Sequence, residues 1–348
     1  MEDRINMRIS YQRYAFAAAA FLAGGTILKL LSSFAFRKLL SPETVEQWKV
    51  PFSFLNDMIF LYGIAFGLFL LMNRNMDKQV PEQHKIGIGK FLLSVLILFG
   101  INGFGSLIGS VANRTVMKMT GVSAATGEMV QNLSFDSSVL LRILVLGLLV
   151  PIVEEIVFRK VLIDRTAKYG EWAAILTSAI MYALFQGSFS LFFYALIMGG
   201  FLAFIYLRTG KVWVVIALHM IMNLFNYVLS FFMAGFANKE NLALLEEMTE
   251  EYAKTGDAAL KQQMEALSAQ IKPQLMTYTV WMYVVGGICL AGMIVFIILL
   301  FRKKFRLEYA EHDVFQGSRV ALINPGMSVY FFVAVAVFVL YYVRLSLG

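Results

Sequence analysis

Apolar residues run along this chain in stretches of about 20, the length that crosses the hydrocarbon layer of a bilayer as a helix. Such stretches lie near 14–36, 53–72, 88–112, 137–163, 172–186, 189–207, 212–236, 277–301 and 326–343, with 172–186 the shortest. The pattern predicts an all-α fold, a polytopic transmembrane helical bundle of about eight to nine spans. Residues 237–275 break it: they are polar, and the spacing of Leu242, Leu245 and Met248 predicts a surface helical hairpin. The chain thus divides into membrane helices at 1–136, a central group at 137–236, the polar connection at 237–275 and membrane helices again at 276–348.

Composition agrees with the pattern. Of 348 residues 59% are hydrophobic and 15% charged, against roughly 25% charged in soluble domains. The net charge of +7 forms no basic patch, because Lys and Arg fall at the ends of the apolar stretches. The charge therefore reads as topology, with the lipid bilayer and not nucleic acid as partner. With the amino terminus (Arg4, Arg8, Arg13) cytoplasmic, alternate connections carry Arg74, Lys78 and Lys85; Arg159, Lys160, Arg165 and Lys168; Arg208 and Lys211; and Arg302, Lys303, Lys304 and Arg306. All fall on one side, which implies a multi-pass protein of the cell membrane. Trp48, Trp172, Trp213 and Trp281 stand near span starts as interfacial anchors. The first apolar run continues through Ile27, Leu30 and Leu31, favouring an uncleaved first span over a signal peptide. Asn56 and Asp57 are expected to cap the second span, Lys29 and Arg142 to snorkel from span ends, and the glycines between Gly100 and Gly109 to permit close helix packing. The single Cys289 excludes a disulfide framework and a thiolate metal cluster.

One apolar stretch contains Glu154, Glu155 and Arg159. Each charged group within a membrane helix costs about 2.5 to 3.5 kcal/mol on insertion scales, so the cluster reads as a functional site. At about 100° per residue, Glu155 and Arg159 lie within about 40° of one another, while Glu154 points about 100° away. Glu155 is therefore assigned to an ion pair with Arg159, and Glu154 to a cavity. Pro151, one turn earlier, should loosen the helix and release a carbonyl. A desolvated Glu near water is a reasonable general base or acid. His219 lies within a span, and Asn223 follows it one turn later on the same face. Two readings of this stripe stay open: an oxyanion-stabilising pair, or hydrogen bonds between helices. Counted from the basic flanks, Glu154 and His219 lie at similar depth, nearer the cytoplasmic face.

Val-Glu-Glu-Ile-Val-Phe-Arg at 153–159, Tyr-Leu-Arg-Thr-Gly at 206–210 and Ala-Leu-His-Met-Ile-Met-Asn at 217–223 together resemble the CPBP family. These intramembrane proteases include the CAAX prenyl-protein endopeptidase and the bacterial Abi proteins, and the resemblance covers about 137–230. It implies a helical core with a polar cavity open to the cytoplasm, where a membrane protein or peptide substrate is hydrolysed. Glu154 would activate water, Glu155 would pair with Arg159, and His219 with Asn223 would stabilise the oxyanion. The chain departs from the pattern at its second motif, where Phe-x-x-x-His is replaced by Tyr182-Ala-Leu-Phe-Gln186. Gln186 is kept as a site residue, although it takes up no proton and is a poor ligand for a borderline metal. Its place in a helix starting at Trp172 is about 21 Å from that start, deeper than Glu154 and His219. Zinc is consequently not firmly implied; Glu154 and His219 are the candidate ligands. Two other readings are a catalytically inactive scaffold or immunity protein, and a transporter using the Glu pair as a proton relay.

Overall fold

A bilayer offers no water to backbone N–H and C=O groups, so each span must satisfy its own. The chain does this with helices throughout, and no strand occurs among the described residues. The structure is a computed structural model and describes residues 2–120, 143–236, 239–307 and 314–347. The helices are α1 (Glu2–Leu39), α2 (Pro42–Asn73), α3 (Ile88–Thr120), α4 (143–166), α5 (Glu171–Phe185), α6 (Phe189–Thr209), α7 (Val212–Phe236), α8 (Lys239–Thr255), α9 (Ala258–Phe301), α10 (Val314–Leu322) and α11 (Pro325–Leu347). Long, apolar segments that meet the length of a span are Glu2–Leu39, Pro42–Asn73, Ile88–Met119, Phe189–Thr209, Leu275–Phe301 and Pro325–Val343. Glu171–Phe185 and Val212–Tyr227 are shorter apolar helices. The expected span at 137–163 is described from 143 onward, so Arg142 lies outside the described residues.

α6 packs between α3 and α5, α9 runs along α3, and α1 lies against α2 and α11. The glycine stretch explains the packing of α3 against both α6 and α9. A Cβ on Gly100 would stand 2.2 Å from the Met293 nitrogen, and one on Gly105 would stand 2.5 Å from the Tyr194 Cα. α3 thus presents bare backbone to α9 on one side and to α6 on the other, as close helix packing in lipid requires. Gly100→Val is expected to lower the melting temperature of the detergent-solubilised protein by several degrees, since overpacking costs about 1–3 kcal/mol. An unchanged melt would show that α3 and α9 can part freely.

Three expectations are revised. Asn56 and Asp57 lie inside α2, whose cap is Ser41, accepting from the Thr44 N–H at 3.3 Å. Asn56 Nδ2 instead donates to the Lys29 carbonyl at 3.1 Å and Ser33 Oγ at 3.0 Å, and Asp57 forms an ion pair with Lys29. Lys29 therefore does not simply snorkel; α1 and α2 satisfy one another's polar groups within lipid. The hairpin after residue 237 does form, turning at Gly256 (φ +66°) with Asp257 capping the next helix. Its second arm, however, continues through Pro273 into the following span as one helix of 44 residues. α10 was not foreseen; it packs against α1 and α5.

The connection after α2 holds the end of α4 in place. Arg165 Nη2 donates to the Asn73 carbonyl at 2.9 Å, Lys168 pairs with Asp77, and the Gln79 N–H donates to the Asp164 carbonyl at 2.5 Å. Farther on, the His84 N–H donates to the Thr209 carbonyl at 3.0 Å, which ties the end of α6 to the same segment. Gly210 (φ +61°) allows the crossing, because a Cβ there would meet the Pro81 and Glu82 carbonyls at 2.5 Å.

Candidate active site

α4 is not a regular α-helix. It is π-helical over Ile143–Leu149, α-helical over Val150–Glu155 and π-helical again over Ile156–Val161, before closing as an α-helix at Leu162–Thr166. In the i→i+5 pattern the carbonyl that Pro151 would serve is that of Leu146, and Pro151 has no N–H to give. Asn223 Nδ2 on α7 donates to the Leu146 oxygen at 2.9 Å. The carbonyl expected to be released near Pro151 is thus the one that Asn223 occupies. In the second wide stretch the Val157 carbonyl accepts from the Tyr14 hydroxyl at 2.9 Å and that of Phe158 from Ser178 Oγ at 2.8 Å. Three neighbouring helices therefore hold the wide turns open from outside, and the α-helical turn between them carries the two glutamates.

The glutamates divide as the helical angles require. Glu155, fully buried, lies 3.0 Å from Arg159 Nη1 through Oε1, and the same oxygen is 2.8 Å from His219 Nδ1. Glu154, 5% exposed, faces the other imidazole nitrogen, with Oε2 3.6 Å from His219 Nε2. Arg159 is held on its remaining sides by the Gly199 carbonyl at 3.4 Å and by the face of the Tyr182 ring, 4.5 Å from its centroid. Gly199 has no room for a side chain, as a Cβ would lie 3.1 Å from both the Ala179 Cα and Tyr182 Cδ1. The four ionisable groups are 5% exposed or less. Two carboxylates, one guanidinium and one imidazole balance only when the cluster carries one further proton beyond that on the arginine.

Sequence reasoning missed Tyr182, which stands on α5 four residues before Gln186. Its hydroxyl is 3.3 Å from His219 Nε2 and within hydrogen-bonding reach of Glu154, and its ring meets Phe158 edge-on. Tyr62 on α2 and Tyr194 on α6 also lie within electrostatic reach of Glu154. Gln186 follows α5 at the turn made by Gly187 (φ +64°) and Ser188, whose Oγ accepts from the Ser190 N–H. No hydrogen bond joins Gln186 to Glu154, Glu155, Arg159 or His219, and its Nε2 is buried without a partner among the described residues. The depth conflict is thereby resolved: the α5 side chain at the level of His219 is Tyr182, about 6 Å before Gln186 along the helix.

A zinc ion needs at least three protein ligands. Glu155 Oε1 and His219 Nδ1 are committed to one another, leaving Glu154 and His219 Nε2 as donors. No group of three His, Cys, Asp or Glu side chains able to hold a metal occurs among the described residues. The donor set does not fit a resident zinc, so no chemical step is routed through one.

Comparison with the families of known proteins gives a match to part of the chain. Residues 136–225 fit the family model of the type II CAAX prenyl endopeptidase, Rce1-like. This segment is similar to that family. It spans α4 to most of α7 and contains Glu154, Glu155, Arg159, Tyr182, Gln186, His219 and Asn223. No curated protein and no solved structure matches the chain. The match over residues 136–225 and the apolar helices support a multi-pass membrane protein and, in general terms, a protease-like enzyme.

Proposed function

We propose that the chain is an intramembrane endopeptidase in which Glu154 activates water against a peptide bond of a membrane-associated protein or peptide. One observation carries the reading: Glu154 Oε2 and His219 Nε2 face each other at 3.6 Å, while Glu155, Arg159 and His219 Nδ1 are occupied with one another. A water can bridge such a separation. Glu154 takes its proton as the oxygen attacks the carbonyl carbon, and His219 Nε2–H donates to the oxyanion that forms. Collapse breaks the C–N bond as Glu154 returns the proton to the leaving amine. The Glu155 carboxylate orients the imidazole and stabilises its charged form, in turn anchored by Arg159. Asn223 gives one of its two amide hydrogens to the Leu146 carbonyl, so it also shapes α4 while His219 faces the oxyanion.

The basic residues Lys160, Arg165, Lys168 and Arg208 gather at the ends of α4 and α6. They support a cytoplasmic amino terminus in the cell membrane and a site nearer that face. Gln186, away from the cluster, favours a second reading in which the fold persists as a scaffold without turnover. Quantitative peptidomics of membranes from cells carrying wild type or His219→Phe separates the two. Peptides that disappear with the variant identify an active enzyme and its substrate; identical peptide sets leave the scaffold.

A further inference from the structure

On α5 and just past its end stand two polar-tipped side chains four residues apart, Tyr182 and Gln186. They differ in where they act. The glutamine lies past the end of α5 with its Nε2 unpartnered among the described residues, whereas the tyrosine places a hydroxyl 3.3 Å from His219 Nε2. From this geometry we infer that Tyr182 is a positioning residue of the site, its hydroxyl holding the Nε2 edge of His219 in place.

The surroundings leave the hydroxyl little choice. Tyr182 is 2% exposed, its ring is fixed between the Arg159 guanidinium and Phe158, and Gly199 admits it closely on a third side. A ring held at three points cannot swing its hydroxyl elsewhere without breaking the stack over Arg159. With Nδ1–H donating to Glu155, neutral His219 presents Nε2 as an acceptor, and Tyr182 is the protein donor at hydrogen-bond distance from it. When His219 is charged, Nε2–H turns to Glu154, and the hydroxyl can follow the same carboxylate. In either state Tyr182 limits the swing of the imidazole, so that Nε2 stays directed at Glu154.

The inference rests on the endopeptidase reading for its catalytic consequence, but its geometry is testable without turnover. In a single-histidine protein (His84→Gln, His312→Gln) with 15N-labelled imidazole, the Nε2 resonance reports whether that nitrogen accepts a hydrogen bond. Tyr182→Phe, which keeps the ring and its stack, is expected to move Nε2 towards the position of an unbonded imine nitrogen and to leave Nδ1 bonded. In proteoliposomes the same variant is expected to lose about tenfold in kcat with KM little changed, the size of effect one hydrogen bond supports. An unchanged Nε2 resonance overturns the inference. A shifted resonance in a protein whose wild type cleaves nothing upholds the positioning contact and removes the endopeptidase reading instead.

Discussion

Glu154→Gln is expected to reduce peptide cleavage in proteoliposomes by about 10²–10⁴-fold, the contribution of a positioned general base, while folding and membrane insertion persist. The substitution keeps the shape of a side chain that is 5% exposed and removes only its capacity to take a proton. Glu155 cannot take over that task. Its Oε1 is shared by Arg159 and His219 Nδ1, and the step of about 100° between adjacent helical positions points it away from the Nε2 side of the imidazole. A fluorogenic peptide assay at matched protein incorporation measures the effect. Activity within a few-fold of wild type would remove Glu154 from the chemistry and with it the mechanism given above. Glutamine also keeps a carbonyl oxygen facing His219 Nε2, so a fall in rate with an intact melting transition reports proton transfer and not packing.

How much of this was legible in the sequence depends on how each residue signals itself. Glu154, Glu155 and Arg159 stand out because charge in an apolar run is rare, and their division of labour follows from the angle between adjacent helical positions. His219 is visible for the same reason. Tyr182 was hidden, because an aromatic side chain in an apolar helix reads as packing until a ring nitrogen is found against its hydroxyl. Asn223 showed its face but not its partner. Which carbonyl Pro151 leaves open depends on whether the turn is α or π, and residue types alone do not decide that. Most spans were legible from length, while the interior positions of Asn56 and Asp57 were not, since an Asn-Asp pair at the edge of an apolar run has the same composition as a cap. The continuity of α9 through Pro273 was likewise obscured, because proline ordinarily marks a helix boundary.

Arg159→Leu is expected to be the most destabilising single change in the chain, costing about 3–5 kcal/mol, as removal of one partner from a buried ion pair does. Both partners are fully buried, and Glu155 Oε2 has no hydrogen-bond partner among the described residues, so the carboxylate has no ready substitute for the guanidinium. Loss of the arginine also strips the Tyr182 ring of its cation and the Gly199 carbonyl of its donor. Adding Glu155→Gln to the same protein should restore much of the stability. The amide is neutral, yet its oxygen still accepts from His219 Nδ1, so the uncompensated charge disappears while the imidazole keeps its anchor. Thermal melts of the detergent-solubilised single and double variants measure both terms. Arg159→Leu as stable as wild type would mean that Glu155 is not ionised in the folded protein, leaving His219 without the charged partner that makes its Nε2–H an effective donor to an oxyanion. A double variant that melts like wild type but cleaves no peptide would separate the two duties of the pair: the charge balance that lets α4 reside in the bundle, and the field that prepares His219 opposite Glu154.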